Sequence, residues 1–219
     1  MSTLAILPIK SFSQAKQRLR QELSDADRRA LVDSMFSDVL VALRRVPALE
    51  QIIVVSGDRV AQRIAQGYGA TVVEDDERGH NWAAKQGIEA ALEDGIERVL
   101  LVPGDCPLMD PKEIEELLGH TDAGRSALIV PDRHGTGTNA LVLAPPDVLA
   151  PSFGPDSRRR HMADADAAVV PAEVVEVPCL ALDVDTPDDL DALQKHLAVT
   201  RGGAAHTRGM LNQLLRARS

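Results

Sequence analysis

A chain of 219 residues suits a single domain, because a length of this order buries most of its apolar surface around one core. Hydrophobic residues make up 44% but aromatics only 2%, so an aliphatic core is expected and stacking platforms for bases are scarce. A net charge of −9 excludes a general nucleic-acid surface, which needs a basic field to displace counterions; an anionic ligand must be met by a local cationic cluster or a metal.

Leu4 to Leu7 reads as a first strand, ended by Pro8. The loop after it carries Lys10, Lys16, Arg18 and Arg20 at the strand's carboxyl end, a set suited to a polyphosphate. Ser24 with Asp27 resembles a capping box and opens a helix through Leu31, Met35, Val39 and Leu43. Gln51 to Ser56 is the second strand, followed by a helix from about Asp58 to Gln66 that Gly67 stops. Ala70 to Glu74 is a third strand, and Asp75, Asp76 and Glu77 make a solvated acidic loop. Asn81 reads as the N-cap of the next helix, with Trp82 as a core or pocket-wall residue.

Val99 to Val102 is almost wholly apolar, as a parallel strand covered on both faces must be. Pro103 and Gly104 break it and deliver Asp105 to the rim of the sheet, where open α/β sheets bind ligands. A helix from Pro111 to about Leu118 follows. The alternation of strand and helix predicts an α/β, Rossmann-like, mostly parallel central sheet with helices on both faces.

Ala127 to Val130 and Ala140 to Leu143 read as two strands joined by a glycine loop, Gly135-Thr136-Gly137-Thr138, whose N–H groups and hydroxyls suit a small anion. Ser157 is expected to cap a helix bearing Arg158, Arg159, Arg160 and His161, and helix N-termini attract anions. Val174 to Val177 and Cys179 to Val184 are expected as the last strand segments, ending in Asp183-Val184-Asp185. Thr186 and Pro187 then start a helix to about His196. Asp105, Asp183 and Asp185, from two strand ends, can meet on a hard divalent cation such as Mg2+. No histidine spacing fits zinc. Residues 1–199 read as one domain, and 200–219 as a basic, mobile tail with a short helix at Met210 to Leu215.

Two cysteines without paired spacing suit a reducing compartment, and nothing basic adjoins Cys106 to make it a nucleophile. No stretch approaches the roughly 20 apolar residues of a spanning helix, and the first residues read straight into a strand rather than a leader. A cytoplasmic protein without membrane contact is therefore expected.

Together, Pro8-Ile9-Lys10 with Ala15-Lys16-Gln17-Arg18-Leu19, Gly104-Asp105-Cys106-Pro107, Gly135-Thr136-Gly137-Thr138-Asn139-Ala140-Leu141, Phe153-Gly154-Pro155-Asp156-Ser157 through His161, and Asp183-Val184-Asp185-Thr186-Pro187 resemble the guanylyltransferases of deazaflavin coenzyme F-420 biosynthesis, from about residue 3 to 196. The resemblance implies a nucleotidyltransferase fold and transfer of GMP from GTP to the phosphate of a small phospho-acid. Phosphoenolpyruvate is favoured over 2-phospho-L-lactate and 3-phospho-D-glycerate, and pyrophosphate is released. It implies Mg2+ on Asp105, Asp183 and Asp185, which with Lys16 form the catalytic set. It places the acceptor at Thr138, Gly154 and Ser157, the triphosphate at Lys10, Lys16 and Arg18, and the nucleoside near Asn81. A downstream deazaflavin-coupling transferase would take the product, and a homodimer is allowed. Two rivals are a nucleotidyltransferase of the same fold acting on a pterin or sugar phosphate, and a catalytically silent nucleotide-binding protein. The first usually carries a GxGxR loop where this chain has Pro8-Ile9-Lys10; the second would tolerate loss of the three carboxylates, all of which are present.

Overall fold

The computed structural model describes residues 1–12, 15–76, 78–120 and 124–217; Glu77 of the expected acidic loop, with Ser13 and Gln14 of the basic one, lies outside them. The four runs expected as parallel strands form β1 (Thr3–Pro8), β2 (Gln51–Val55), β3 (Thr71–Val73) and β4 (Arg98–Leu101). Between and after them come α1 (Asp25–Leu43), α2 (Arg59–Gly67), α3 (His80–Glu93) and α4 (Pro111–Gly119). The glycine loop joins β5 (Ser126–Pro131) to β6 (Thr138–Ala144), and α5 (Ser157–Ala167), β7 (Ala172–Val174), α6 (Pro187–Val199) and α7 (Ala205–Ala217) complete the chain.

These strands make one seven-stranded sheet in the order β3-β2-β1-β4-β6-β5-β7. Every neighbouring pair is parallel except those made by β6, which runs against both β4 and β5. A reversed strand begins where its neighbours end. With Leu101 opposite Leu141, the first residues of β6, Thr138 and Asn139, lie on the rim where β1 and β4 end.

Successive side chains of a strand point to opposite faces, and both faces of this sheet are covered. In β1, Ala5 and Leu7 pack into a layer with Leu31 and Met35 of α1 and Leu193 of α6. Leu4 and Ile6 pack against Ala84 and Ile88 of α3 and Ala165 of α5. Two of the expected caps are in place: Ser24 Oγ accepts from the Asp27 N–H at 3.1 Å, and Thr186 and Asp189 form a reciprocal capping box. None of the helices is long and apolar enough to cross a membrane, among the described residues.

Two expectations need correction. Cys179 to Val184 is not a strand: Pro178–Leu180 form a 3-10 turn and the chain continues as a loop, although Cys179, Leu180 and Val184 are buried. Pro178 has no N–H for a sheet ladder, and the Val184 N–H is given to the Asp105 carbonyl at 3.2 Å. Asp183, partly buried, and Asp185, exposed, therefore sit on a loop and not at a strand end.

The second correction concerns the tail, whose helix is longer than expected and packed. Thr207 is fully buried, Leu211 is part of the core, and Asp38 of α1 accepts the N–H groups of His206 (3.0 Å) and Thr207 (2.8 Å). One helix thus caps another. Replacing a cap of this kind costs about 1–2 kcal/mol, so Asp38→Ala is expected to lower Tm by about 3–6 °C, read by differential scanning calorimetry. A Tm equal to wild type would show that Asp38 does not hold α7.

Candidate active site

The site begins where β4 stops. Val102 still pairs with β1, its N–H reaching the Ile6 carbonyl at 3.0 Å. The chain then crosses closely over Ile9 and Phe36 at Gly104, where a Cβ would lie 2.5 Å from Ile9 Cδ1 and 3.2 Å from Phe36 Cδ2. Only glycine fits that approach without moving its neighbours, and it sets Asp105 on the rim. Asp183 and Asp185 are brought to the same place by a polar lattice. The Arg133 N–H donates to the Ala181 carbonyl at 2.8 Å. Asn139 Nδ2 donates to the Leu180 carbonyl at 2.7 Å and to Asp183 Oδ1 at 3.2 Å, and the Asp185 N–H donates to Asp189 Oδ2 at 3.1 Å.

All three carboxylates line one cavity of about 570 Å³, together with Lys10, Lys16, His80, Thr138 and Gly154. Lys16 holds the centre. Its ammonium donates to Asp105 Oδ2 and, at 2.7 Å, to Asp185 Oδ1. Burial works against its charge, but Asp105 and Asp185 outweigh that and keep its pKa above the ordinary lysine value. The backbone of Lys16 is left-handed (φ 54°), which costs a non-glycine residue about 1–2 kcal/mol and turns the side chain from the basic loop into the acidic cluster.

One ammonium against three carboxylates leaves two negative charges unmatched when all are ionised. Asp183 shows the consequence: burial first, then the charges of Asp105 and Asp185, raise its pKa despite the Asn139 hydrogen bond. Asp105 Oδ1 is buried with no hydrogen-bond partner. Among the described residues no three acidic, His or Cys side chains are already placed to hold a metal ion. The donor set nevertheless fits a hard divalent cation in chemistry and in charge, with an unspent carboxylate oxygen at its centre. Lys16 lies between Asp105 and Asp185, two of the residues that would hold such an ion.

A second cavity of about 250 Å³ shares Pro8, Ile9, Lys10 and His80 with the first and extends to Gly57, Asp75 and Gly79. His80 lies between the two, edge-on to Phe153 with ring centroids 5.2 Å apart. Burial first and then Lys10 push its pKa down, so it is a neutral wall.

The model of the family described as "Guanylyl transferase CofC like" matches residues 3–215. The chain belongs to this CofC-like family. It is 53% identical over 218 residues to a phosphoenolpyruvate guanylyltransferase of Conexibacter woesei, covering 99% of this chain and 98% of that one. It is 32% identical over 215 residues to a 2-phospho-L-lactate guanylyltransferase of Methanothermobacter thermautotrophicus, covering 98% and 92%. A solved nucleotidyl transferase from Methanothermobacter shares the fold, with a TM-score of 0.68 at 18% identity over 91% of this chain and 99% of that one. The expected nucleotidyltransferase architecture is therefore that of the CofC-like chain.

Within this CofC-like site, Asp105, Asp183, Asp185, Lys10, Lys16, Thr138 and Gly154 face the main cavity as the sequence led us to expect. Three other expected residues do not line either cavity. Arg18 is exposed in the short 3-10 turn Gln17–Leu19, which keeps Leu19 in the core and turns Arg18 outward. Ser157 is buried as the first residue of α5 rather than its cap, which is Asp156, and its N–H donates to the Gly154 carbonyl at 3.1 Å. Asn81 is inside α3, not its cap, because the helix starts at His80 after Gly79. Its amide is spent on the Phe153 backbone, accepting from the N–H at 2.8 Å and donating to the carbonyl at 3.2 Å. It ties α3 to the loop that carries Gly154.

Trp82 is half-buried, with the Arg78 guanidinium 3.5 Å from its ring centroid, rather than in a core or pocket wall. Cys106 is fully buried, its thiol pushed up by burial and by Asp105, and it serves as packing. One site residue was not singled out from sequence: Asp75, read as part of a solvated loop, lines the second cavity. His161, at the end of the Phe153 to His161 motif but given no role from sequence, lies behind Thr138.

Proposed function

We propose that the two cavities bind GTP and a small phospho-acid together, and that the chain transfers GMP to the acceptor's phosphate with release of pyrophosphate. Phosphoenolpyruvate is the favoured acceptor, supported by the relative that is 53% identical over nearly the whole chain. A phosphate oxygen of the acceptor attacks the α-phosphorus, a P–O bond forms to it, and the bond to the β-phosphate oxygen breaks. The nucleophile is already ionised, so no general base is required. The main barrier is the approach of two anions. The observation that carries this reading is that cations and carboxylates meet at one point: Lys10 and Lys16 for phosphate oxygens, and Asp105, Asp183 and Asp185 for a divalent ion.

Magnesium, when bound, supplies charge neutralisation and alignment of the phosphates; Asp105, Asp183 and Asp185 would hold it. Lys16 then turns from the carboxylates to the triphosphate, beside Lys10. The second cavity takes the guanosine, with Asp75 as an acceptor of the kind that the N–H groups of a guanine edge require. Thr138 and Gly154 face the acceptor, the latter at φ 121°, where only glycine is at ease. The product, a phospho-acid joined to GMP, suits a deazaflavin-coupling transferase that displaces GMP, and the whole scheme suits a cytoplasmic enzyme.

Pyrophosphate release is the test, with GTP, Mg2+ and phosphoenolpyruvate, 2-phospho-L-lactate or 3-phospho-D-glycerate in turn. Release with GTP is expected to be stimulated most by phosphoenolpyruvate. Free replacement of GTP by ATP or CTP, or no stimulation by any phospho-acid, would overturn the reading.

A further inference from the structure

His161 is fully buried directly behind the acceptor side of the cavity, and both of its ring nitrogens are engaged. Nε2 lies 3.0 Å from the Ser152 backbone nitrogen, and Nδ1 lies 3.0 Å from Thr138 Oγ1. A backbone N–H can only donate, so Nε2 must present its lone pair. Burial pushes the ring's pKa down to about 4, which leaves a neutral imidazole with one proton, and that proton is on Nδ1. Nδ1–H therefore donates to Thr138 Oγ1.

A hydroxyl can donate or accept, and its neighbours decide which. With one lone pair of Thr138 Oγ1 taken by the imidazole, the Thr138 proton is left for the cavity that this residue lines. The opposite tautomer would draw the Thr138 proton toward the ring and turn oxygen lone pairs on the cavity, which would repel an anion. We propose that His161 is a positioning residue: by donating from Nδ1 it fixes the Thr138 hydroxyl as a hydrogen-bond donor to an anionic oxygen of the acceptor.

The surroundings hold this relay in register. Arg160 Nη2 donates to the Ser152 carbonyl at 2.6 Å, and Phe153 packs edge-on to His161 with centroids 5.3 Å apart. The Ser152–Gly154 loop is thus tied to α5 by the same imidazole that orients Thr138, so donor and loop are aligned together. The inference rests on the acceptor placement proposed above.

Two variants separate the two ring nitrogens. His161→Gln can still accept the Ser152 N–H at the Nε2 position but gives Thr138 no donor, whereas His161→Asn keeps an N–H near Nδ1. A charge-assisted hydrogen bond lost from the acceptor corresponds to about ten-fold or more in affinity. Thr138→Val is therefore expected to raise the KM for phosphoenolpyruvate about ten-fold with the KM for GTP unchanged. His161→Gln is expected to do the same, His161→Asn to stay within about three-fold of wild type, and His161→Gln to add nothing in a Thr138→Val background. Additive effects of the two substitutions, or equal rises in both KM values, would overturn the relay and leave His161 as packing.

No effect of Thr138→Val on the acceptor KM would overturn the acceptor placement and the relay with it. In the wild-type protein, nitrogen-15 long-range NMR is expected to show the His161 proton on Nδ1, and a proton on Nε2 alone would overturn the proposal without any variant.

Discussion

Asp183→Asn is expected to abolish most turnover and to raise the melting temperature at neutral pH. The substitution is nearly isosteric, and its Oδ1 can still accept the Asn139 amide that now reaches Asp183 at 3.2 Å, so the loop keeps its anchor. What is lost is a negative charge for the divalent ion and the phosphates around it, and removal of one preorganised electrostatic partner typically costs about 10²–10³ in rate. Stability moves the other way. Burial, Asp105 and Asp185 raise the Asp183 pKa above its unfolded value, so the folded state binds this proton more tightly than the unfolded chain. The cost of ionising Asp183 is absent below the unfolded carboxylate value, about 3.9, and is complete once pH has risen through the folded one. The gap in Tm between variant and wild type should therefore close in acid and open toward neutrality. Pyrophosphate release paired with calorimetry at two pH values checks both halves. Wild-type turnover would remove Asp183 from the metal set, and a variant that melts lower at pH 7 would show that its buried charge does not cost the fold stability.

How far the sequence could be read depended on what each signal reports. Apolar runs report burial most surely where the run is central: Val99–Val102 and Leu4–Leu7 are interior, and Cys179, Leu180 and Val184 are buried with Ala181 to Asp183 partly covered, whereas of the expected edge run Val174–Val177 only Val177 is buried and only Val174 lies in a strand. Backbone geometry is a separate matter, and at 179–184 the proline and the donation of the Val184 N–H to Asp105 make a loop of what hydropathy reads as a strand. The caps at Ser24 and Thr186 were legible because their partners are three residues away, whereas at Asn81 and Ser157 the helix begins one or more residues earlier than the polar side chain suggests. The cap on α7 was not legible, because Asp38 reaches it across 168 residues of sequence.

The same distinction divides the candidate site. Asp105 could be placed because a strand that breaks at Pro103-Gly104 has only one rim to end on. Asn81 and Arg18 lie on the right segments, but which way a side chain leaves its turn is set by tertiary neighbours: Phe153 claims the amide of Asn81, and the burial of Leu19 turns Arg18 outward. The reversal of β6 against β5 follows from the short glycine loop between them, but the pairing of β6 with β4, which brings Thr138 to the rim, has no local signature.

Lys16→Met should bind a divalent cation more tightly in the absence of nucleotide while losing about 10²-fold in turnover. The two effects have one origin. The Lys16 ammonium rests between Asp105 and Asp185, so a cation arriving there must first displace it or endure its charge. A unit charge about 4 Å from a divalent ion costs about 2 kcal/mol even at the dielectric constant of water, or about thirty-fold in affinity. Methionine keeps the length of the side chain and removes that charge, and manganese titration followed by electron paramagnetic resonance reads the gain directly. In the complete reaction the same lysine is expected to move to the triphosphate, so the variant keeps only Lys10 of the two lysines that meet the charge on departing pyrophosphate. Asp105 and Asp185 also lose their bridging cation in the variant, which should melt lower than wild type and recover on addition of Mg2+. A variant with weaker or unchanged manganese binding would mean that Lys16 and the metal do not share the space between the aspartates, and that Lys16 belongs to the triphosphate from the start.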